Sequence, residues 1–257
     1  MRPRCRQLDS QPTRHEHAHV PAEPDAAVDR IAAVRAEVAA IARRAGRKAD
    51  EVGIVAVTKT MPPEVVREAL AGGLTDLGEN YVQEARAKRL QVGAGRWHLV
   101  GGLQRNKVRA AVAVFDVIQS LDTPAVARAL GEEAAAAGRR LPVLIQVNAA
   151  GRAGQRGVLP EALPELARVV VGMPSLELLG LMTIAPAGAG AEAVRAHFAA
   201  VRALRDATAR SLGVEMPHLS MGMSDDFSLA IEEGATLVRL GRALFGPRRS
   251  APWREGS

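Results

Sequence analysis

The sequence predicts a single-domain (β/α)8 TIM barrel of the α/β class, and three observations carry that prediction. Short apolar runs alternate with longer alanine-rich amphipathic ones along most of the chain. Eight of the short runs read as strands within about 230 residues, the count of a closed eight-stranded barrel. No linker divides the chain of 257 residues into two units. A doubly wound open sheet is the alternative, but it usually has fewer strands at this length.

The elements follow in order. Asp25 to Ala45 reads as a helix, because Val28, Ile31, Val34, Val38 and Ile41 recur at spacings of three and four. The strands are expected at Ile54–Val57, Thr75–Gly78, Trp97–Val100 and Val114–Gln119, then at Val143–Val147, Leu176–Met182, His218–Met221 and Thr236–Leu240. Helices are expected between them at Pro63–Ala71, Val82–Leu90, Gln104–Ala113, Pro124–Ala137, Pro160–Val171, Ala191–Leu212 and Asp225–Glu233. Asp122-Thr123-Pro124 offers a cap and a first-turn proline, and Asp225-Asp226 puts acids at a helix start. Gly72-Gly73, Gly138 and Gly234 mark helix ends.

Composition narrows the functional classes. The chain is 47% hydrophobic but only 3% aromatic, so its core is built from Ala, Val and Leu. The formal charge of +6 comes from arginines scattered among acids and alanines. An aromatic-interleaved basic patch is not visible, so nucleic acid is not the expected partner. Cys5 stands alone, which excludes an intramolecular disulfide. No apolar run reaches the ~18 residues of a membrane span. Residues 1–25, with four arginines, His15, His17 and His19, lack the apolar stretch of a signal peptide. The expectation is a cytoplasmic protein with a disordered tail over 1–25, a barrel over 26–248 and a frayed end over 249–257.

Function in such a barrel sits where strands open into loops at the C-terminal face. Lys59 follows the first strand in "IVAVTKTMPP", in a chain with 30 arginines and only four lysines. Glu79, Asn80 and Tyr81 follow the second strand, and Asn148 the fifth. "SMGMSDD" after the seventh offers the hydroxyls of Ser220 and Ser224 and a glycine turn into a helix. "VRLGRALFG" ends the eighth strand with Arg239 and Gly241 and opens a short helix. Loops after strands seven and eight are the usual phosphate site of this barrel, and exposed N–H groups at a helix start suit an anion. Ordinary tight turns at Gly222 and Gly241 are the alternative. Barrel closure sets strand one beside strand eight. A desolvated lysine there is a nucleophilic amine able to form a Schiff base, and a phosphorylated aldehyde such as pyridoxal 5′-phosphate (PLP) suits both halves of the site. The alternative for Lys59 is a surface lysine near a loop.

Six segments in order, "AVTKTMPP", "DLGENYVQEA", "WHLVGGLQRNKVR", "GLMTIAP", "LSMGMSDDF" and "VRLGRALFG", resemble the pyridoxal-phosphate homeostasis protein family, itself similar to the N-terminal barrel of alanine racemase. The resemblance runs from about residue 27 to 248. It implies that Lys59 holds PLP as an aldimine. It also implies that Ser220, Gly241 and Arg242 bind the phosphate, the last two through backbone N–H. Arg239 then stands beside the pyridine nitrogen and Asn80 near the ring. It implies PLP supply or buffering rather than robust catalysis, with PLP-dependent apoenzymes as receivers. The chain is expected to be a monomer.

Two departures stand out. In "NAAGRAGQRG" Arg152 and Gln155 occupy positions where the family often has an acid and a lysine, and Arg242 stands where a small hydroxyl residue is common. A PLP-dependent racemase is the second reading. A two-base racemase needs a second base on the opposite face of the substrate, which alanine racemase takes from a separate domain. The only tyrosine here is Tyr81, in the loop after strand two. A regulator that uses the basic surface on another macromolecule is the third reading.

Overall fold

The structure, a computed structural model, describes residues 24–247. Of the tail expected over 1–25, residues 1–23 with Cys5 and the three histidines lie outside the described residues, as does the end expected at 249–257, while Pro24 and Asp25 stand in the first helix. Eight parallel strands close into a barrel in sequence order. They are β1 (Gly53–Val57), β2 (Asp76–Glu79), β3 (Arg96–Leu99), β4 (Val117–Leu121), β5 (Leu141–Gln146), β6 (Leu176–Met182), β7 (His218–Ser220) and β8 (Leu237–Leu240). Closure comes from β1 pairing with β8, from Gly53 opposite Leu237 to Ala56 opposite Leu240.

The helices are α1 (Pro24–Arg44), α2 (Pro63–Ala71), α3 (Val82–Val92), α4 (Val108–Val114), α5 (Pro124–Ala136), α6 (Leu163–Val171), α7 (Ala191–Leu212), α8 (Phe227–Glu232) and α9 (Arg242–Phe245). Local chemistry sets several ends. Thr123 Oγ1 accepts the Val126 N–H at 3.3 Å and caps α5. Helix α7 stops where Gly213 turns left-handed at φ 62°. Helix α1 buries Ile31, Val34, Val38 and Ile41 of the face its spacing predicts, while Val28 stays exposed. One core fills the layer between helices and barrel, and a small second cluster joins Val117, Leu144 and Met182.

Most expected bounds shift by one to four residues, and two of the shifts have a visible cause. The fourth strand was expected from Val114, but α4 runs through Val114 and β4 starts at Val117. The unbroken apolar run concealed this boundary. Asp116 marks it, accepting the Trp97 N–H at 2.8 Å and pairing with Arg89 at 3.0 Å. Asp225 was expected inside a helix, but α8 begins at Phe227 with Asp226 as N-cap. The Asp226 carboxylate turns back onto the Met223 N–H at 2.6 Å.

The barrel interior is unusually polar for a layer that is generally branched aliphatic. Gln119 of β4 and Ser220 of β7 are not sheet neighbours, so their 2.6 Å hydrogen bond crosses the lumen. Gln119 also donates from Nε2 to His98 Nδ1 at 2.8 Å, and His98 Nε2 meets Asp76 at 2.7 Å. Arg239 closes the chain by donating to the Ser220 hydroxyl.

Candidate active site at the barrel mouth

The mouth encloses a cavity of about 620 Å³ at the C-terminal ends of the strands. Its polar lining is Lys59, Asn80, Ser224, Asp225, Arg239 and Arg242, and Gly241 contributes backbone. Met61, Val100, Ile184 and Met223 supply apolar wall. Three cations against one carboxylate make the cavity net positive, which favours an anionic ligand.

Each polar group is placed by its element. Lys59 lies two residues past β1, where Met61-Pro62-Pro63 forces the turn into α2. Asn80 ends β2, and Gly101 is small because a Cβ there would lie 2.4 Å from the Asn80 carbonyl oxygen. Gly241 follows β8, and a Cβ there would come within 3.3 Å of the Val57 carbonyl, so the glycine lets the ends of β8 and β1 approach beside Lys59. Gly222 holds φ 92°, and its own Cβ would meet Ala230 at 2.6 Å. The turn it permits carries the chain over α8 and brings Ser224 to the cavity wall. Ser224 Oγ there accepts the Ala243 N–H at 3.2 Å, tying the β7 loop to the first turn of α9.

Arg239 is 5% exposed. Its guanidinium donates to the Ser220 carbonyl at 2.7 Å, the Ser220 hydroxyl at 2.8 Å and the Thr183 carbonyl at 2.7 Å. Burial pulls its pKa down to about 10, which still leaves it charged at neutral pH. It is thus a fixed buried cation at the cavity floor.

Of the six residues expected at the site, Lys59, Asn80, Arg239, Gly241 and Arg242 line this one cavity, and Ser220 does not. Ser220 is fully buried, and its hydroxyl is committed to Gln119 and Arg239. Ser224 is the serine of "SMGMSDD" that reaches the wall. The difference is depth along the barrel axis: β7 ends at Ser220, and four more residues lift the chain to the mouth. Arg242 does not fold inward alone but pairs with Asp225 across the rim. Gln155 donates to the Ile184 carbonyl at 2.9 Å and fastens its loop to the cavity wall. Asn148 bonds the backbone of Arg152 and Gln155 within that same loop. Tyr81 is 60% exposed and lies outside the lining. Sequence reasoning missed the interior partners Asp76, His98 and Thr183. The only signal for them is a polar residue interrupting an apolar strand, as His98 does in "WHLV".

Fold and site together define a single barrel of the alanine racemase N-terminal domain class, whose family pattern matches residues 30–249. The chain belongs to the pyridoxal phosphate homeostasis protein family. It is 44% identical over 222 residues to the pyridoxal phosphate homeostasis protein of Pseudomonas aeruginosa, covering 86% of this chain and 95% of that one. It is 42% identical over 225 residues to that of Aquifex aeolicus, covering 87% and 99%. The structure of PipY from Synechococcus elongatus with PLP bound superposes with a TM-score of 0.75 at 35% identity, covering 86% of this chain and all of PipY.

Proposed function

We propose that this protein binds pyridoxal phosphate at the barrel mouth through Lys59 and acts as a carrier or buffer of it. The observation that carries the reading is the convergence of Lys59, from the end of β1, with Ser224, Gly241 and Arg242, from the loops after β7 and β8, on one cavity. PLP supplies an aldehyde, which condenses with a primary amine, and a phosphate. The residues fit both: a lysine amine at one end, and a hydroxyl, a glycine-opened helix start and a guanidinium at the other. Arg239 offers a fixed positive charge that disfavours protonation of a nearby pyridine nitrogen. The PipY structure with PLP bound supports the assignment.

The carrier reading rests on what the described lining offers. A two-base racemisation needs a second base facing the substrate. Besides Lys59 the lining holds one group of that kind, Asp225, and it is paired with Arg242. The names of the relatives, homeostasis proteins rather than enzymes, agree. PLP-dependent apoenzymes are the receivers in this reading, and the protein acts as a monomer inside the cell. No helix among the described residues is long and apolar enough to cross a membrane.

The decisive experiment adds PLP to the purified chain, reduces with borohydride and maps the modified residue by mass spectrometry. The adduct is expected on Lys59 and absent from Lys59→Ala. An adduct of equal yield on another lysine in that variant overturns the assignment. Exchange of the α-hydrogen of alanine in deuterated water by the PLP-bound protein would favour the racemase reading instead.

A further inference from the structure

The loop that carries Lys59 is held by a buried cluster that the cofactor reading leaves unused. Lys88 of α3 has a fully buried side chain. Its ammonium donates to the Thr58 carbonyl at 2.6 Å, to Glu79 Oε1 at 2.7 Å and to Glu84 Oε1 at 2.7 Å. Glu84 Oε1 also accepts the Thr60 N–H at 2.5 Å. The residues directly before and after Lys59 are therefore both gripped by one ion pair on one helix. Thr60 holds φ 63°, the one positive φ of a non-glycine among the described residues. A β-branched residue avoids that region, so the surroundings must impose it. The Thr58 hydroxyl completes the cluster by donating to Glu79 Oε1 at 2.7 Å.

The choice of lysine is informative. The chain uses arginine 30 times and lysine four times. A tetrahedral ammonium points three donors at acceptors in different directions, as here; a planar guanidinium presents a flat fork and needs more room. Burying this charge is costly unless it is paired, and two carboxylates and a carbonyl surround it.

We infer that Lys88 and Glu84 are positioning residues for Lys59, clamping the Thr58 carbonyl and the Thr60 N–H so that the strained 58–60 turn aims the Lys59 side chain into the cavity. The clamp rests on the reading of Lys59 as the cofactor lysine. It acts on backbone groups to either side of that residue and needs no contact with the cofactor. Without it Thr60 relaxes to negative φ, which re-aims the residue before it.

The test uses the full chain loaded with PLP. Release is followed as transfer of PLP to an excess of an apoenzyme scavenger, and the pH midpoint of the bound-cofactor absorption band is read in parallel. Lys88→Met and Glu84→Ala are each expected to release PLP about tenfold faster than wild type and to move the band midpoint, because a small misplacement of a reacting group carries a large cost. Glu84→Gln keeps an Oε1 acceptor for the Thr60 N–H and is expected to recover much of the difference. Lys107→Met is the control. Release rate and midpoint unchanged in Glu84→Ala overturn the clamp, and so does a lowered Tm with both unchanged. Glu84 sits at the edge of the cluster, so that variant decides alone if Lys88→Met does not fold. Absence of any borohydride-fixed adduct on Lys59 in wild type is a different failure, that of the cofactor reading itself.

Discussion

The Ser220 hydroxyl lies 2.8 Å from a guanidinium nitrogen of Arg239 and accepts from it, because its own hydrogen goes to Gln119 Oε1 at 2.6 Å. The direction of that bond is set deeper in the barrel. The Gln119 amide turns its NH2 to His98 Nδ1, which makes Nδ1 an acceptor and leaves the other ring nitrogen to donate to Asp76. Four side chains thus fix which way Ser220 points, and Ser220 helps fix the cation at the cavity floor.

The two serines of "SMGMSDD" should therefore separate stability from binding. Ser220→Ala removes an acceptor from a buried guanidinium and a donor from a buried amide. It is expected to cost about 1–3 kcal/mol in urea unfolding. Ser224→Ala removes a hydroxyl from the cavity wall and should weaken PLP binding with a smaller loss of stability. A PLP titration beside an unfolding curve on each variant checks both. Equal effects on both readouts would contradict the distinct depths of the two residues.

Glu79 should give the protein a stability component that falls as pH rises. Burial pushes its carboxyl up to about 7, and Glu84 adds to the rise, while Lys88 and the Thr58 hydroxyl pull it down. The folded state then holds this proton more tightly than the unfolded chain, whose glutamate titrates near 4.5. Unfolding releases the proton between those values, so this contribution is fully present at the acid end and is lost as pH climbs through about 7. His197 and His218, both lowered by burial, act in the opposite sense over an overlapping range. The clean measurement is the difference between wild type and Glu79→Gln in denaturant midpoints across that range. The variant is expected to lose the downward component. Parallel profiles would show that Glu79 titrates alike in both states.

Much of this architecture is legible in the chain, and what is not has a physical reason. Alternation of period locates all eight strands, and Leu176–Met182, Pro63–Ala71 and Ala191–Leu212 agree residue for residue. The rule that function sits past strand ends gathers Lys59, Asn80, Arg239, Gly241 and Arg242 at one mouth. Ser220 escapes that rule because position along a chain does not encode depth along a barrel axis. Lys88 escapes it because a charged residue on a helix normally faces water. Only its fully buried side chain shows otherwise. The interior chain from Asp76 to Arg239 runs between neighbouring strands except at Gln119–Ser220, which crosses the lumen, and no local pattern predicts such contacts.

The rim pair Arg242–Asp225 is expected to govern how phosphate enters. Both side chains are largely exposed, at 60% and 78%, so the pair contributes little to stability. Arg242→Ala should leave the unfolding midpoint nearly unchanged. In the cofactor reading, the backbone at Gly241 and Arg242 still faces the ligand in that variant, and only the guanidinium charge is gone. PLP binding should weaken at low salt, and the gap from wild type should close at about 1 M salt, where screening acts within about 3 Å. Asp225→Asn makes the converse case. It removes the carboxylate that competes with an anion for the same guanidinium, so PLP and inorganic phosphate should both bind more tightly at low salt. Calorimetric titrations of both variants at two ionic strengths decide it. An affinity gap for Arg242→Ala that persists at high salt would mean that the side chain contacts the ligand directly.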